Sequence, residues 1–279
     1  MKVLVTGANG QLGYDVVDVL NLRNIECCGT TRNDFDLCDF TKAEKFITAF
    51  HPDVIIHCAA YTAVDKAEDE KDICRAVNAV GTENIAKICK KINAKMLYIS
   101  TDYVFDGTKE GFYEVDDTPN PINFYGQTKL EGEQAVQKIL DKYFIVRISW
   151  VFGEHGNNFV KTMLRLGKER KEISVVSDQI GSPTYTLDLA QLLVDMVQTD
   201  KYGIYHATNE GECSWAEFAE VIFKVAKMDV TVNHIMSSDY YTKAERPKNS
   251  RMSKKKLIEK EFKLLNYWKS AIIRYIIKR

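Results

Sequence analysis

The sequence predicts an α/β fold: a doubly wound parallel sheet followed by a smaller C-terminal α/β lobe. Three observations carry this. Short apolar runs alternate with stretches of helical apolar spacing, a glycine-rich turn joins the first run to the first such stretch, and after Gly203 the pattern breaks into shorter elements. Strands alternating with helices imply parallel pairing, because each crossover helix returns the chain to the same end of the sheet. The 279 residues suffice for one large domain or two lobes.

The first strand is Lys2–Thr6. It runs into Gly7-Ala8-Asn9-Gly10-Gln11-Leu12-Gly13 and then a helical pattern of Leu12, Val16, Val17 and Leu20. Glycines at such a strand-to-helix turn let the backbone approach a pyrophosphate whose charge rests on the helix N-terminus. This is a Rossmann-like opening, with G-x-x-G-x-x-G spacing. Gly7, Asn9, Gly10, Gln11, Leu12 and Gly13 are therefore candidate cofactor contacts.

The second strand, Ile25–Thr31, ends at Arg32. An acid there would bond the ribose hydroxyls of NAD, whereas an arginine accommodates the 2′-phosphate of NADP. Arg32 favours NADP(H), with acceptance of NADH as the alternative. Asp36, Leu37 and Asp39 follow in a loop that reaches the adenine side. Thr41 to Glu44 reads as a capping-box start, and the helix it opens ends before Pro52.

Strand Asp53–His57 leads into Cys58-Ala59-Ala60-Tyr61-Thr62. Small residues at a strand's carboxyl end let a ligand lie against the backbone, so Ala59, Ala60 and Tyr61 join the cofactor candidates. His57 is alone and reads as a hydrogen-bonded histidine rather than a catalyst. A helical stretch through Val77, Asn78 and Ile88 precedes strand Lys95–Ser100, whose end carries Thr101-Asp102-Tyr103.

Pro119 and Pro121 place the next helix start near Asn123, with Tyr125 in its first turn and Lys129 four residues on. Side chains at i and i+4 share a helix face. An ammonium beside a phenol, whose reference pKa is near ~10, favours the phenolate and lowers that value. Such a tyrosine can exchange a proton near neutral pH. A Tyr/Lys pair alone is common on exposed helices; its weight comes from the glycine turn and the Thr101 hydroxyl converging on one sheet edge.

That combination resembles the extended short-chain dehydrogenases/reductases, in which a hydroxyl, a tyrosine and a lysine form a triad around a nicotinamide. The segments Cys58–Glu68, Ser100–Gly107, Pro121–Glu133, Ser149–Val151, Gly156–Phe159 and Asp178–Thr184 are similar to the dTDP-4-dehydrorhamnose reductase family, a likeness running from residue 2 to about 270. The resemblance implies NADPH-dependent reduction of the C4 ketone of a dTDP-sugar, the last step towards dTDP-L-rhamnose for bacterial surface polysaccharide. It implies Tyr125 as proton donor, Lys129 on the nicotinamide ribose and Thr101 on the substrate oxygen. Thr62, Val64, Asp102, Tyr103, Trp150 and Asn158 would line the substrate site, and Arg246, near Ser250, would meet the diphosphate. Asn78 either completes a proton relay or faces outward. Some members use Mg²⁺ at a dimer contact, so a monomer or homodimer is expected. His57 departs from the asparagine usual in the family, and Met252 from leucine. Tyr103 stands where related 4,6-dehydratases need a glutamate, which excludes elimination. A 4-epimerase or another sugar-nucleotide reductase remains open, as does a non-catalytic NADP-binding subunit resembling the methionine adenosyltransferase beta subunit.

A net charge of −1 argues against a nucleic-acid partner. Seven scattered cysteines have no metal spacing and read as reduced thiols of a cytoplasmic protein. The chain opens directly on a strand, leaving no signal peptide, and no apolar run approaches the ~20 residues of a membrane span. The residues themselves imply no metal site. Residues 1–150 with 173–201 read as the dinucleotide-binding domain, the latter segment returning to the sheet. Residues 151–172 with 202–279 read as the substrate lobe. The basic run from Lys243 to Lys256 is mainly a solvated face. The stripe Leu265, Trp268, Ile272, Tyr275 and Ile276 packs against the lobe, with a membrane surface as the alternative.

Overall fold

A computed structural model describes residues 1–278 of the chain. Six strands form the central sheet: β1 (Lys2–Thr6), β2 (Glu26–Thr30), β3 (Val54–His57), β4 (Lys95–Thr101), β5 (Tyr143–Ile148) and β6 (Gly203–His206). Their spatial order is β6-β5-β4-β3-β1-β2, and every pairing is parallel. The chain runs outward from β1 to β2, then returns to β3 on the opposite side. That reversal opens a crevice at the carboxyl ends of β1 and β3, where open α/β sheets take their ligands.

Both faces of the sheet are covered, so its strands read as continuous apolar runs. Val3, Val5, Ile56 and Leu97 pack with helices Gln11–Leu22 and Thr186–Val197 on one side. Leu4, Ile55, Met96 and Tyr98 pack with Ile85, Ile88 and Val136 on the other. A third core, built on Phe152, Phe218, Ile222, Trp268, Ile272 and Tyr275, holds the C-terminal lobe. The C-terminal stripe is thus buried against protein.

Three local expectations need correction. Glu172–Val176 does not return to the central sheet; it pairs with Thr231–Ile235, and Ile173 and Val175 enter the lobe core. Conversely β6, which lies inside the stretch expected to be lobe, is an edge strand of the central sheet beside β5. A short apolar strand announces that it is buried, not which sheet it joins. Finally, helix Phe40–Phe50 has its cap two residues before Thr41: Asp39 accepts from the Lys42 backbone N–H at 3.1 Å. Asp39 is therefore a helix cap rather than a reach towards adenine.

Candidate active site

The crevice is a cleft of about 680 Å³ lined by the glycine turn, the ends of β1 to β5 and the start of the helix Phe124–Ile139, a volume typical of small-ligand sites. At its floor Gly7 adopts φ +68°, and a Cβ there would meet the Ala59 backbone at 2.8 Å. At Gly13 a Cβ would collide with the Gly7 carbonyl. Helix Gln11–Leu22 begins at Gly10 without a side-chain cap, so its first N–H groups are left for an anion.

Of the expected cofactor residues, Gly7, Asn9, Gly10, Gln11, Leu12, Gly13, Arg32, Asp36, Leu37, Ala59, Ala60, Tyr125 and Lys129 line the cleft. Arg32 is exposed there and, among the described residues, has no ion-pair partner. Asp34, the nearest acid, is engaged by the Thr31 backbone N–H at 2.7 Å and hydroxyl at 3.0 Å, so it does not compete for a ribose. Tyr61 is a correction. It does not line the cleft: its ring packs against the cluster of Ala67, Cys74 and Tyr125, and its hydroxyl donates to Glu70 at 2.6 Å.

Thr101, Tyr125 and Lys129 all line the same cleft and are all buried. Asn123 caps the helix that carries Tyr125 and Lys129 by accepting from Gly126 N–H at 2.8 Å, fixing Tyr125 in the first turn. Lys129 Nζ donates to the Ile99 carbonyl at 2.8 Å and lies 4.2 Å from the centre of the Tyr98 ring. Burial pushes its ammonium down to about 7, with Glu133 opposing. The Tyr125 phenol moves upward, against the expected direction. Burial dominates, the Asp102 charge adds to it, and a hydrogen bond with Thr101 opposes it. Sequence spacing shows that two groups are neighbours; it does not show how completely water is excluded from them. Asp102 itself is held up to about 6 by burial, against bonds from Ser250 and Thr101.

Thr62, Val64, Asp102, Tyr103 and Trp150 also line the cleft. Trp150 sits at φ +50°, a strained conformation for a bulky residue, and stacks on Trp215 at 3.7 Å. Trp215 lines a second, outer cleft of about 1660 Å³, which Tyr103 joins to the first. Nothing in the chain's local pattern points to Trp215; it comes from the lobe. Two expected substrate residues point elsewhere. Asn158 caps helix Phe159–Glu169 through Lys161 N–H at 3.0 Å and donates to Gln11 at 2.9 Å, clasping the lobe to the glycine turn. Arg246 lines the outer cleft but forms a two-pronged ion pair with Asp65, at 3.0 and 2.7 Å.

Asn78 faces inward, within a π-helical turn Ala76–Gly81. Its amide accepts from Tyr61 N–H at 2.8 Å and donates to the Tyr61 carbonyl and Thr128 hydroxyl, each at 3.1 Å. It therefore ties the wall of the cleft to the helix bearing Tyr125. His57 is buried and bonded to Thr6 at 2.7 Å and Thr82 at 3.2 Å, with burial holding it neutral. No group of acids, histidines and cysteines among the described residues could hold a metal, and no helix among them is long and apolar enough to cross a membrane.

A glycine turn at the switch point of a parallel sheet, facing a hydroxyl, a buried tyrosine and a buried lysine, defines an extended short-chain dehydrogenase/reductase. The comparisons narrow that class. The chain belongs to the dTDP-4-dehydrorhamnose reductase family: the family model described as the RmlD substrate binding domain matches residues 1–279. The chain is 43% identical over 262 residues to the dTDP-4-dehydrorhamnose reductase of Aggregatibacter actinomycetemcomitans, covering 89% of each chain. A solved dTDP-4-dehydrorhamnose reductase from Bacillus anthracis, in complex with NADP, superposes with a TM-score of 0.97 at 44% identity and full coverage of both chains. A Clostridium acetobutylicum orthologue gives a TM-score of 0.97 at 41% identity, covering 100% of this chain and 99% of that one.

Proposed function

We propose that this chain is a dTDP-4-dehydrorhamnose reductase, reducing the C4 ketone of dTDP-4-dehydro-L-rhamnose with NADPH. The observation that carries the reading is the meeting of Thr101, Tyr125 and Lys129 with the uncapped glycine turn in one cleft. The cleft fits the cofactor: the free N–H groups would meet a pyrophosphate, and Arg32, with no ion-pair partner among the described residues, would suit a 2′-phosphate. When bound, the cofactor supplies the hydride.

Tyr125 then acts as general acid at the C4 oxygen, a contribution of roughly 10²–10⁴-fold. A phenol pushed up by burial holds its proton until an alkoxide, a stronger base, develops beside it. Burial lowers the Lys129 ammonium; ribose hydroxyls would complete its donor contacts and favour the charged form. Thr62, Val64, Tyr103 and Trp150 shape the sugar site, while the outer cleft with Trp215 and Lys248 takes the nucleotide end. Arg246 and Asn158 act at one remove, Arg246 by anchoring its segment on Asp65 and Asn158 by holding Gln11. The sheet with its two helical layers would then be the cofactor-binding domain, and the part built on the third core the substrate lobe.

The test is NADPH oxidation by purified protein given dTDP-4-dehydrorhamnose, with NADH and a UDP-linked keto-sugar as comparisons. NADPH binding without any oxidation would instead favour a non-catalytic subunit. Substrate interconversion with no net NADPH loss would favour an epimerase.

A further inference from the structure

Asp102 has no assigned part in the chemistry, yet it is 3% exposed, immediately follows Thr101 and lines the catalytic cleft. Among the described residues no cation bonds to it. The Thr101 hydroxyl donates to Asp102 Oδ1 at 3.1 Å and accepts from the Tyr103 N–H at 3.2 Å. A hydroxyl has one proton and two lone pairs. While Asp102 is charged, that single proton is committed to the carboxylate and is withheld from Tyr125, whose phenolate a Thr101 hydrogen bond would favour. Thr101 then has nothing to donate to a sugar oxygen. If Asp102 is protonated, the polarity reverses: Asp102 donates to Thr101, and the Thr101 proton is freed towards Tyr125.

We propose that Asp102 is the proton reservoir of this site, reloading Tyr125 through the Thr101 hydroxyl during ketone reduction. The proposal rests on the reductase reading. The carbonyl carbon gains the hydride and its electron pair, and the carbonyl oxygen takes the Tyr125 proton. The phenolate takes the Thr101 proton, and Thr101 takes that of Asp102. The carboxylate left behind recovers a proton from water, so one proton is consumed per ketone. Burial, which lifts Asp102 to about 6, keeps the reservoir partly loaded where an ordinary carboxylate is empty. The groups facing it are Ser250 from the C-terminal segment, Tyr125 from the helix, Thr101 beside it, and Tyr103 and the Asp102 and Tyr103 backbone N–H groups of its own turn. The Arg246–Asp65 pair lies beyond Tyr103.

The experiment compares wild type with Asp102→Asn, Thr101→Val and Thr101→Ser, measuring kcat, KM and solvent proton inventories between about pH 5 and 8. The expected result for Asp102→Asn is kcat down at least about 10-fold at low pH, with KM nearly unchanged. The fall of kcat with rising pH should flatten, and the curved inventory of the wild type should become linear. Thr101→Val should do the same and Thr101→Ser should restore the relay, so this pair carries the test if Asp102→Asn does not fold. Asp102→Asn or Thr101→Val retaining the wild-type pH profile and curved inventory would overturn the proposal. A turnover-free arm uses infrared difference spectra of wild type minus Asp102→Asn. A protonated-carboxyl band should persist well above the pH at which ordinary carboxylates lose theirs, and no such band at about pH 5 would also overturn it. A wild type that shows the band but reduces no keto-sugar counts against the reductase reading instead.

Discussion

Lys129 and Arg147 are both buried cations, and both lie within reach of Glu133, yet the protein treats them oppositely. Arg147 grips Glu133 with two bonds, at 2.9 and 2.7 Å, and Ser100 donates to the same carboxylate at 2.5 Å. Its Nη1 reaches the Val115 carbonyl at 3.3 Å and His206 Nε2 at 3.4 Å, and the guanidinium lies 5.0 Å from the Phe105 ring centre. All three guanidinium nitrogens thus have protein partners. Lys129, one helical turn from Glu133, has one protein acceptor and an aromatic ring, and its ammonium is pushed down by burial. A buried charge that is fully paired serves the fold; one left partly unpaired beside a cleft is held for a ligand.

The sharpest way to break this contrast is at the functional end of the helix. Tyr125→Phe should lower reduction by roughly 10²–10⁴-fold while leaving NADPH affinity nearly intact, read by steady-state assay and cofactor fluorescence titration. Near-normal turnover would remove Tyr125 as the acid. At the structural end, Arg147→Met strands a buried carboxylate and should cost about 3–5 kcal/mol in urea unfolding. Adding Glu133→Leu should recover most of that loss, because no uncompensated charge remains.

Lys129→Met probes both halves at once. The folded chain holds Lys129 near 7, well below its unfolded value of about 10.4, so the unfolded state binds more protons between these values. Stability of the wild type without ligand should therefore rise with pH across that window, and denaturation of Lys129→Met should lack this rise. Activity should be lost all the same. The smallest effect is expected at the exposed Arg32: Arg32→Ala should weaken NADPH relative to NADH by about 10-fold, or about 1.4 kcal/mol, in paired binding titrations.

Much of this site is readable from local spacing. The glycine turn follows a strand and opens a helix, and Tyr125 and Lys129 share a helix face; both facts depend on residues within a few positions. Asn158 and Arg246 are different. Their partners, Gln11 and Asp65, lie 147 and 181 residues away, and no local pattern announces a clasp or an ion pair at that range. Trp215 under Trp150 is of the same kind. Glu133 could have been found, since it continues the Tyr125–Lys129 face by one more turn.

The sequence alone therefore determines the parallel α/β framework, the glycine turn and the placing of Tyr125 and Lys129 on one helix face, because backbone sterics and helical periodicity act over short separations. Tertiary structure alone decides that strand Glu172–Val176 belongs to the lobe and that Arg246 is already paired. It also decides that the Tyr125 phenol is raised rather than lowered. Those outcomes depend on which distant groups exclude water from one another, and burial is a property of the packed chain rather than of any segment in it.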